Sequence, residues 1–112
     1  MKKIEAIIRL NKFDAVRDAL AAIGVNFFTL EQVKGYGLQQ GEKMVYRGSV
    51  YGAEYIARLQ LNVLTTSEKV NLLVDTITKA ARTGEVGDGK ISVYEVEQVT
   101  RIRTGETGEE AI

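Results

Sequence analysis

Residues 57–96 read ARLQLNVLTTSEKVNLLVDTITKAARTGEVGDGKISVYEV, and this stretch decides the fold. Its first nine residues alternate apolar and polar side chains, which is typical of a half-buried strand. Thr65 and Glu68 have the spacing of a capping box, and apolar residues then recur three or four apart from Val70 to Ala80. Its last seven residues favour a second strand. The stretch therefore predicts one β-α-β unit.

The first half of the chain predicts a second β-α-β unit. Residues 2–10 alternate as a strand does, and residues 11–24 repeat apolar side chains at helical spacing and end in a glycine, a common helix stop. Residues 25–37 are rich in β-branched and aromatic residues and predict another strand. Two such units sharing one sheet give an α+β, ferredoxin-like βαββαβ fold with both helices on one face. Apolar side chains on the other face predict that further copies of the chain cover it.

Composition limits the function classes that this chain can serve. Its 112 residues predict a single domain, residues 1–112, and its 15 basic and 15 acidic side chains give a net charge of zero. This balance argues against binding to nucleic acid or to an anionic membrane surface. The absence of Cys and His excludes thiolate catalysis, disulfides and imidazole-based zinc sites. Because no stretch approaches roughly 20 apolar residues, we expect a cytoplasmic protein without membrane insertion.

Two segments depart from the regular pattern. Residues 37–55 show no sustained periodicity and contain four glycines, and long loops of this kind are usually functional. Residues 98–112 form a polar tail that carries Arg101 and Arg103. If the tail is extended, these two side chains face the same side and suit a phosphate group.

The stretch TGEVGDGKIS, residues 83–92, matches most of a phosphate-binding loop signature, but Ile91 stands where that signature requires Ser or Thr. A nucleotide-hydrolysing P-loop also needs a strand before it and a helix after it, and here the order is reversed. Its glycines can still turn successive amides towards an anion, with Lys90 as a point charge. The alternative is a simple turn with Lys90 in solvent, and spacing alone favours that alternative. The three glycines are Gly84, Gly87 and Gly89.

Three motifs together resemble the PII signal-transduction proteins of nitrogen regulation. They are YRG at 46–48 followed by Tyr51, AARTGEVGDGKI at 80–91 and RIRTGE at 101–106, and the similarity runs from MKKIEAII to the terminal EEAI. The resemblance implies a homotrimer that binds ATP or ADP in clefts between subunits. It also implies that residues 37–55 are a T-loop that contacts a target protein. That target would be an ammonium transporter, an enzyme of nitrogen metabolism or a regulator.

The resemblance also assigns site residues. Positions matching the family's nucleotide site are Thr29, Gly35, Gly37, Leu64, Gly87, Asp88, Gly89, Lys90, Arg101 and Arg103. Positions matching its 2-oxoglutarate site are Arg9, Gln39, Gly41 and Arg58, with Gln39 also a ligand of the Mg²⁺ shared with ATP. Ser49 and Tyr51 match positions that are modified in some relatives. Three positions depart from the pattern: Leu38 replaces an arginine, Arg58 a lysine and Asn62 a glutamate.

Three functions follow as alternatives. The leading one is a non-enzymatic sensor whose T-loop responds to ATP, ADP and 2-oxoglutarate with Mg²⁺, or to adenine nucleotides alone if the Arg58 change has removed 2-oxoglutarate binding. The second is a slow ATPase that uses Lys90, Arg101 and Arg103 to stabilise phosphoryl charge. The third is a structural trimer whose loop serves only assembly.

Overall fold

The computed structural model describes residues 1–38, 44–46, 49–51 and 53–112. The strands are β1 (Lys2–Ile8), β2 (Thr29–Leu38), β3 (Met44–Tyr46), β4 (Ser49–Tyr51), β5 (Ala53–Thr65) and β6 (Lys90–Glu95). The helices are α1 (Phe13–Ala22) and α2 (Val70–Ala81). Short 3-10 turns cover Leu10–Lys12, Ser67–Lys69 and Gly108–Ala111.

Four strands form one sheet in the order β2-β5-β1-β6, and each neighbouring pair is antiparallel. Helix α1 joins β1 to β2 across the intervening β5, and α2 joins β5 to β6 across the intervening β1. These are two interleaved β-α-β units. The predicted ferredoxin-like α+β fold is confirmed.

The core lies between the helices and one face of the sheet. In the register of the central strands, Ala6 of β1 stands opposite Leu61 of β5 and Ile91 of β6, so these three side chains share the helix-facing side. A slip of one residue would turn every one of these side chains to the opposite face. The fully buried members of this core are Ile4, Ala6, Ile8, Val16, Leu20, Leu61, Val63, Leu73, Ile77 and Ala81.

The opposite face, called the open face below, carries alternate residues of the same strands. Most are polar, such as Glu5, Gln60 and Asn62, while Ile7 and Leu64 are apolar, and Leu64 is 41% exposed. Apolar side chains on an uncovered sheet are therefore present, as predicted. Their cover by further copies stays a prediction.

The end of α1 follows the expected glycine stop. Gly24 has a φ of 87°, and its amide donates to the carbonyl of Ala21 while the amide of Val25 donates to that of Leu20. This paired bonding is the Schellman arrangement that satisfies the last carbonyls of a helix. Strand β2 begins at Thr29, four residues later than predicted.

The long loop predicted at 37–55 contains strand residues that its sequence did not indicate. Strand β2 extends to Leu38, β5 begins at Ala53, and β3 pairs with β4 in a separate antiparallel ribbon. This ribbon is not part of the four-stranded sheet, so no core face imposes an alternating pattern on its sequence.

The predicted capping box was also wrong in its details. The residue that precedes the turn before α2 is Thr66 rather than Thr65, and neither it nor Lys69, which precedes α2 itself, makes a side-chain capping bond. Thr65 is instead buried, at 5% exposure, as the last residue of β5.

Candidate functional site

The candidate site is built around residues 82–89, called the glycine loop below, which join α2 to β6. Gly87 and Gly89 have φ angles of 101° and 96°, which a residue with a side chain rarely adopts. A Cβ on Gly89 would lie 2.8 Å from the carbonyl carbon of Ile7 and closer still to its oxygen. Only glycine therefore lets this loop pass so close to the backbone of β1.

Asp88 closes the glycine loop on itself. Its Oδ1 accepts hydrogen bonds from Thr83 Oγ1 at 2.5 Å and Arg9 Nε at 3.0 Å, and its Oδ2 accepts from the amides of Thr83 and Gly84, both at 2.9 Å. These bonds, those from Thr83 foremost, hold the pKa of the Asp88 carboxyl far below its usual range. The carboxylate is therefore ionised at neutral pH, and its oxygens are committed to the protein.

Two arginines hold the loop from the adjacent strands. Arg9 Nη2 donates to the Val86 carbonyl at 2.9 Å, and Arg58 Nη2 donates to the Gly87 carbonyl at 3.0 Å. The register that pairs Ile8 with Leu59 brings the residues beside them, Arg9 and Arg58, to the same end of the sheet. Both guanidinium groups then lie against Gly87, where a Cβ would come within 3.0 Å of Arg58 Nη2 and 3.4 Å of Arg9 Nη2.

These carbonyl bonds fix the direction of two amides. In a planar trans peptide the N–H points away from the C=O to which it is linked. The N–H groups of Gly87 and Asp88 therefore point away from the guanidinium groups that hold the Val86 and Gly87 carbonyls. Neither N–H donates a hydrogen bond within the described part of the chain. Two successive amides are thus oriented, and among the described residues nothing competes with an anion for them.

The charge around the glycine loop favours an anion. Lys90 is exposed and pairs with Ile7, which places it on the open face. Arg58 belongs to the same face as Gln60, which also pairs with Ile7. With the charges of the loop itself included, this region holds four cations, Arg9, Arg58, Arg82 and Lys90, and two carboxylates, Glu85 and Asp88, which leaves a local positive excess.

A cavity of about 470 Å³ opens beside the loop, on the side of α2. Its apolar wall includes Ile8, Val74 and Ile77, and Arg82, Asp88 and Gly89 also line it. This volume lies within the range of small-ligand pockets.

The single chain does not bring all of the predicted nucleotide residues together. Thr29 pairs with Asn62 and Leu64 pairs with Lys3, at the end of the sheet opposite to Arg58. The six residue-to-residue steps of β5 from Arg58 to Leu64 span roughly 20 Å. Gly35 and Gly37, further along β2, stand opposite Ile56 and Glu54, on the glycine-loop side of Arg58.

The predicted extended arrangement of Arg101 and Arg103 was wrong. The chain reverses between Thr100 and Thr107, which form a bridge, and the Arg101 amide donates to the Glu106 carbonyl at 2.9 Å. Arg101 also lies 3.4 Å from the Glu106 carboxylate and donates to the Glu110 carbonyl at 3.0 Å, while Arg103 lies in the exposed turn. Glycines permit this reversal, because Gly105 and Gly108 have φ angles of 74° and 80°.

The remaining predicted residues fall on the part of the chain between β2 and β5. Gln39 and Gly41 lie outside the described residues. Ser49 and Tyr51 are the first and last residues of β4. Across residues 1–38 and 53–112 and the two short strands, no group of three or more acidic, His or Cys side chains is placed to hold a metal ion. Within the same described chain, every helix is too short or too polar to cross a membrane.

The fold and this site define a class: a small ferredoxin-like domain with a glycine loop between its second helix and its last strand. The family model for nitrogen regulatory protein P-II matches residues 1–106. Nitrogen regulatory protein P-II of Microchaete diplosiphon is 48% identical over 112 residues, and nitrogen regulatory protein P-II 1 of Escherichia coli K12 is 45% identical over 112 residues, each alignment covering all of both chains. The chain belongs to the P-II family, as its motifs predicted.

A solved structure agrees with this assignment. The crystal structure of Arabidopsis thaliana PII bound to citrate superposes with a TM-score of 0.82 at 35% identity. The match covers 99% of this chain and 91% of that chain.

Proposed function

We propose that this protein is a non-enzymatic regulator that binds ATP or ADP between the subunits of a homotrimer. The observation that carries the proposal is the pair of amides at Gly87 and Asp88, which donate no hydrogen bond within the described residues and whose linked carbonyls are held by Arg9 and Arg58. Phosphate oxygens need such N–H donors and nearby cations. The citrate of the Arabidopsis protein is also a multiply charged anion, which supports anion binding by this fold.

The trimer follows from the separation of the predicted site residues. Leu64 lies roughly 20 Å along β5 from Arg58, which contacts the glycine loop, and Thr29 lies on β2, the edge strand farthest from the β6 strand that the loop precedes. A single chain therefore does not bring these residues to its own loop. A neighbouring copy related by rotation would bring its own Thr29 and Leu64 to this loop. Closed threefold symmetry would repeat the same contact around the ring and cover the open face.

Control of a target would proceed through residues 37–55, the T-loop of the family. Both of its ends belong to strands of the main sheet: Gly37 pairs with Glu54, and Arg58 of β5 reaches Gly87. A ligand that changes the preferred state of this segment would change the affinity for a partner. The proposed partner is an ammonium transporter, an enzyme of nitrogen metabolism or a regulator in the cytoplasm.

The described residues give the ATPase alternative little support. A general base must accept a proton from the attacking water. The loop contains two carboxylates, Glu85 and Asp88, and Asp88 is the one that adjoins Gly87. The oxygens of Asp88 accept four hydrogen bonds, and its pKa is held far below the usual range by Thr83 first and by Arg9 and Gly84. A carboxylate in this condition is a poor base.

A second candidate is a sensor of adenine nucleotides alone. Arg9 and Arg58, the predicted partners of 2-oxoglutarate, both donate to carbonyls of the glycine loop. The predicted Mg²⁺ ligand, Gln39, lies outside the described residues. The commitment of both arginines favours a site that selects phosphate over a dicarboxylate.

Calorimetric titration of ATP and ADP into the full chain tests the main proposal. Removal of one charge-assisted hydrogen bond costs roughly 1.5 to 3 kcal/mol, so Lys90→Ala should weaken ATP about tenfold to a hundredfold. Lys79→Ala is the matched control, because Lys79 is an exposed lysine of α2 that does not line the site. Equal ATP affinity for Lys90→Ala and the control would show that the glycine loop is only a turn between α2 and β6 and does not bind ATP. Absence of binding by the unmodified chain would favour the purely structural trimer.

A further inference from the structure

We infer that Arg9, Arg58 and Asp88 are positioning residues, which hold the glycine loop in place through hydrogen bonds to its own carbonyls, amides and side chains. They are not residues that contact the ligand. This inference rests on the proposed nucleotide function and identifies what keeps that site in its binding conformation. It changes the predicted roles of all three side chains.

The first step concerns Asp88, for which family resemblance predicts contact with phosphate or ribose. A carboxylate offers about four acceptor positions. Asp88 uses them for Thr83 Oγ1, the amides of Thr83 and Gly84, and Arg9 Nε. All of these donors belong to the protein, so the side chain that closes the loop has no acceptor left for a sugar hydroxyl.

The second step concerns the arginines. Arg9 bridges the Asp88 carboxylate and the Val86 carbonyl, so it joins two points of the loop to the end of β1. Arg58 donates to its own neighbour's carbonyl at Ala57 with Nη1 and to Gly87 with Nη2, so it joins the loop to β5. A planar guanidinium can hold two acceptors at once in a fixed geometry. Each arginine therefore attaches the loop to a strand of the sheet.

The third step is the effect on the ligand. The glycine loop has little packing of its own, since Val86 is fully exposed and Gly84 has no atom within 4 Å of where a Cβ would stand. Without the arginine bonds, the peptides at 86–88 would have to be ordered when the anion binds. Ordering one backbone residue on binding corresponds to about a tenfold loss of affinity.

The test uses Arg58→Met, which retains an apolar stem but no donor. Two quantities are measured: the backbone ¹⁵N order parameters of Gly87 and Asp88 without ligand, and ATP affinity at 0.15 M and 1 M salt. We expect the order parameters to fall from about 0.85 to below about 0.6. We also expect ATP to bind about tenfold more weakly than to the unmodified protein at both salt concentrations.

Arg17→Met is the matched control, because it removes an arginine from the exposed surface of α1, where Arg17 pairs with Asp14 and Asp18. It should change neither quantity. Arg58→Lys should restore much of the order, since an ammonium group can still donate to the Gly87 carbonyl.

The possible results separate this inference from the proposed function. Unchanged order at Gly87 and Asp88 in Arg58→Met overturns the positioning role, whatever ATP does. Lowered order with an affinity loss that disappears at 1 M salt also overturns it, because a screened charge would then explain the loss. If the unmodified protein binds no ATP, the nucleotide function fails, while the order measurement still decides whether the arginines hold the loop.

Discussion

Gly89→Ala should be the most damaging single methyl addition in the glycine loop. The new Cβ would come within 2.8 Å of the Ile7 carbonyl carbon and nearer to its oxygen, in a backbone with φ of 96°. Ile7 and Lys90 are the last paired residues of β1 and β6, so the clash must separate these strands at the site. The left-handed conformation costs roughly 1 to 2 kcal/mol for a residue with a side chain. Loss of one or two ladder hydrogen bonds adds about 1 kcal/mol each.

The expected destabilisation is therefore about 2 to 4 kcal/mol. Gly84→Ala is the matched control, because Gly84 has a φ of 89° but no atom within 4 Å of the added Cβ. Gly84→Ala should lower the free energy of unfolding only by the cost of the left-handed backbone conformation, roughly 1 to 2 kcal/mol. Urea unfolding of both variants at one protein concentration measures the difference. The free energy of unfolding falls by about 1 to 3 kcal/mol per molar urea, so the urea concentrations at which the two variants are half unfolded should be clearly separated.

Equal midpoints for the two variants would refute this reasoning, because they would show that the close approach to Ile7 contributes nothing beyond backbone conformation. ATP titration gives a second comparison. Gly89→Ala moves the loop away from β1 and should weaken ATP at equal folded fraction. Gly84→Ala should leave the contact between the loop and β1 in place.

Three further predictions concern assembly, pH and the second ligand. Light scattering at micromolar concentration should give about three times the chain mass of 12.4 kDa, and a monomer would contradict the shared site. Hydrogen bonds from Thr83, Gly84 and Arg9 depress the Asp88 pKa, so their stabilising effect should be complete above the ordinary value of 3.8 and decline as pH falls below it. Asp88→Asn should therefore unfold more readily than the unmodified chain at pH 7 but approach it in acid, with Asp75→Asn as an exposed control on α2; a difference that does not depend on pH would contradict the role given to the charge. Any 2-oxoglutarate binding detected by calorimetry should require both ATP and Mg²⁺ and should be lost in Gln39→Ala; heat in Arg58→Lys but not in the unmodified chain would identify a sensor of adenine nucleotides alone.

The fold was predictable because apolar side chains that face the core recur at regular intervals in the sequence. The alternation of residues 57–65 and the helical spacing of residues 70–80 both arise from one core, and both were confirmed. The ribbon of β3 and β4 lies outside the four-stranded sheet, so its sequence shows no such regular recurrence of apolar residues. The reversal at Arg101 was missed for a related reason, since the two-residue spacing of Arg101 and Arg103 says nothing about the turn that Gly105 allows.

The candidate site was predictable only where its residues are consecutive. The positive φ angles of Gly87 and Gly89 follow from a glycine-rich turn and were expected of an anion-binding loop. Arg9 and Arg58 reach the loop through the register of β1 and β5, which joins positions 49 residues apart and leaves no local signal. Thr83 was also missed, although an Asp five residues after a hydroxyl residue in a glycine-rich loop is an arrangement in which the carboxylate can accept from loop amides.

The reversed order of helix and strand explains why this loop needs arginines. In a P-loop the following helix presents its N-terminus, with oriented amides and a partial positive charge, to the phosphates. Here α2 ends at Ala81, immediately before the loop, so the nearer end of the helix is its C-terminus, which carries a partial negative charge. An anion at Gly87 and Asp88 must therefore be favoured by other groups. Arg9 and Arg58 meet both requirements at once, because their hydrogen bonds orient the amides and their charges, with that of Lys90, oppose those of Glu85, Asp88 and the helix end.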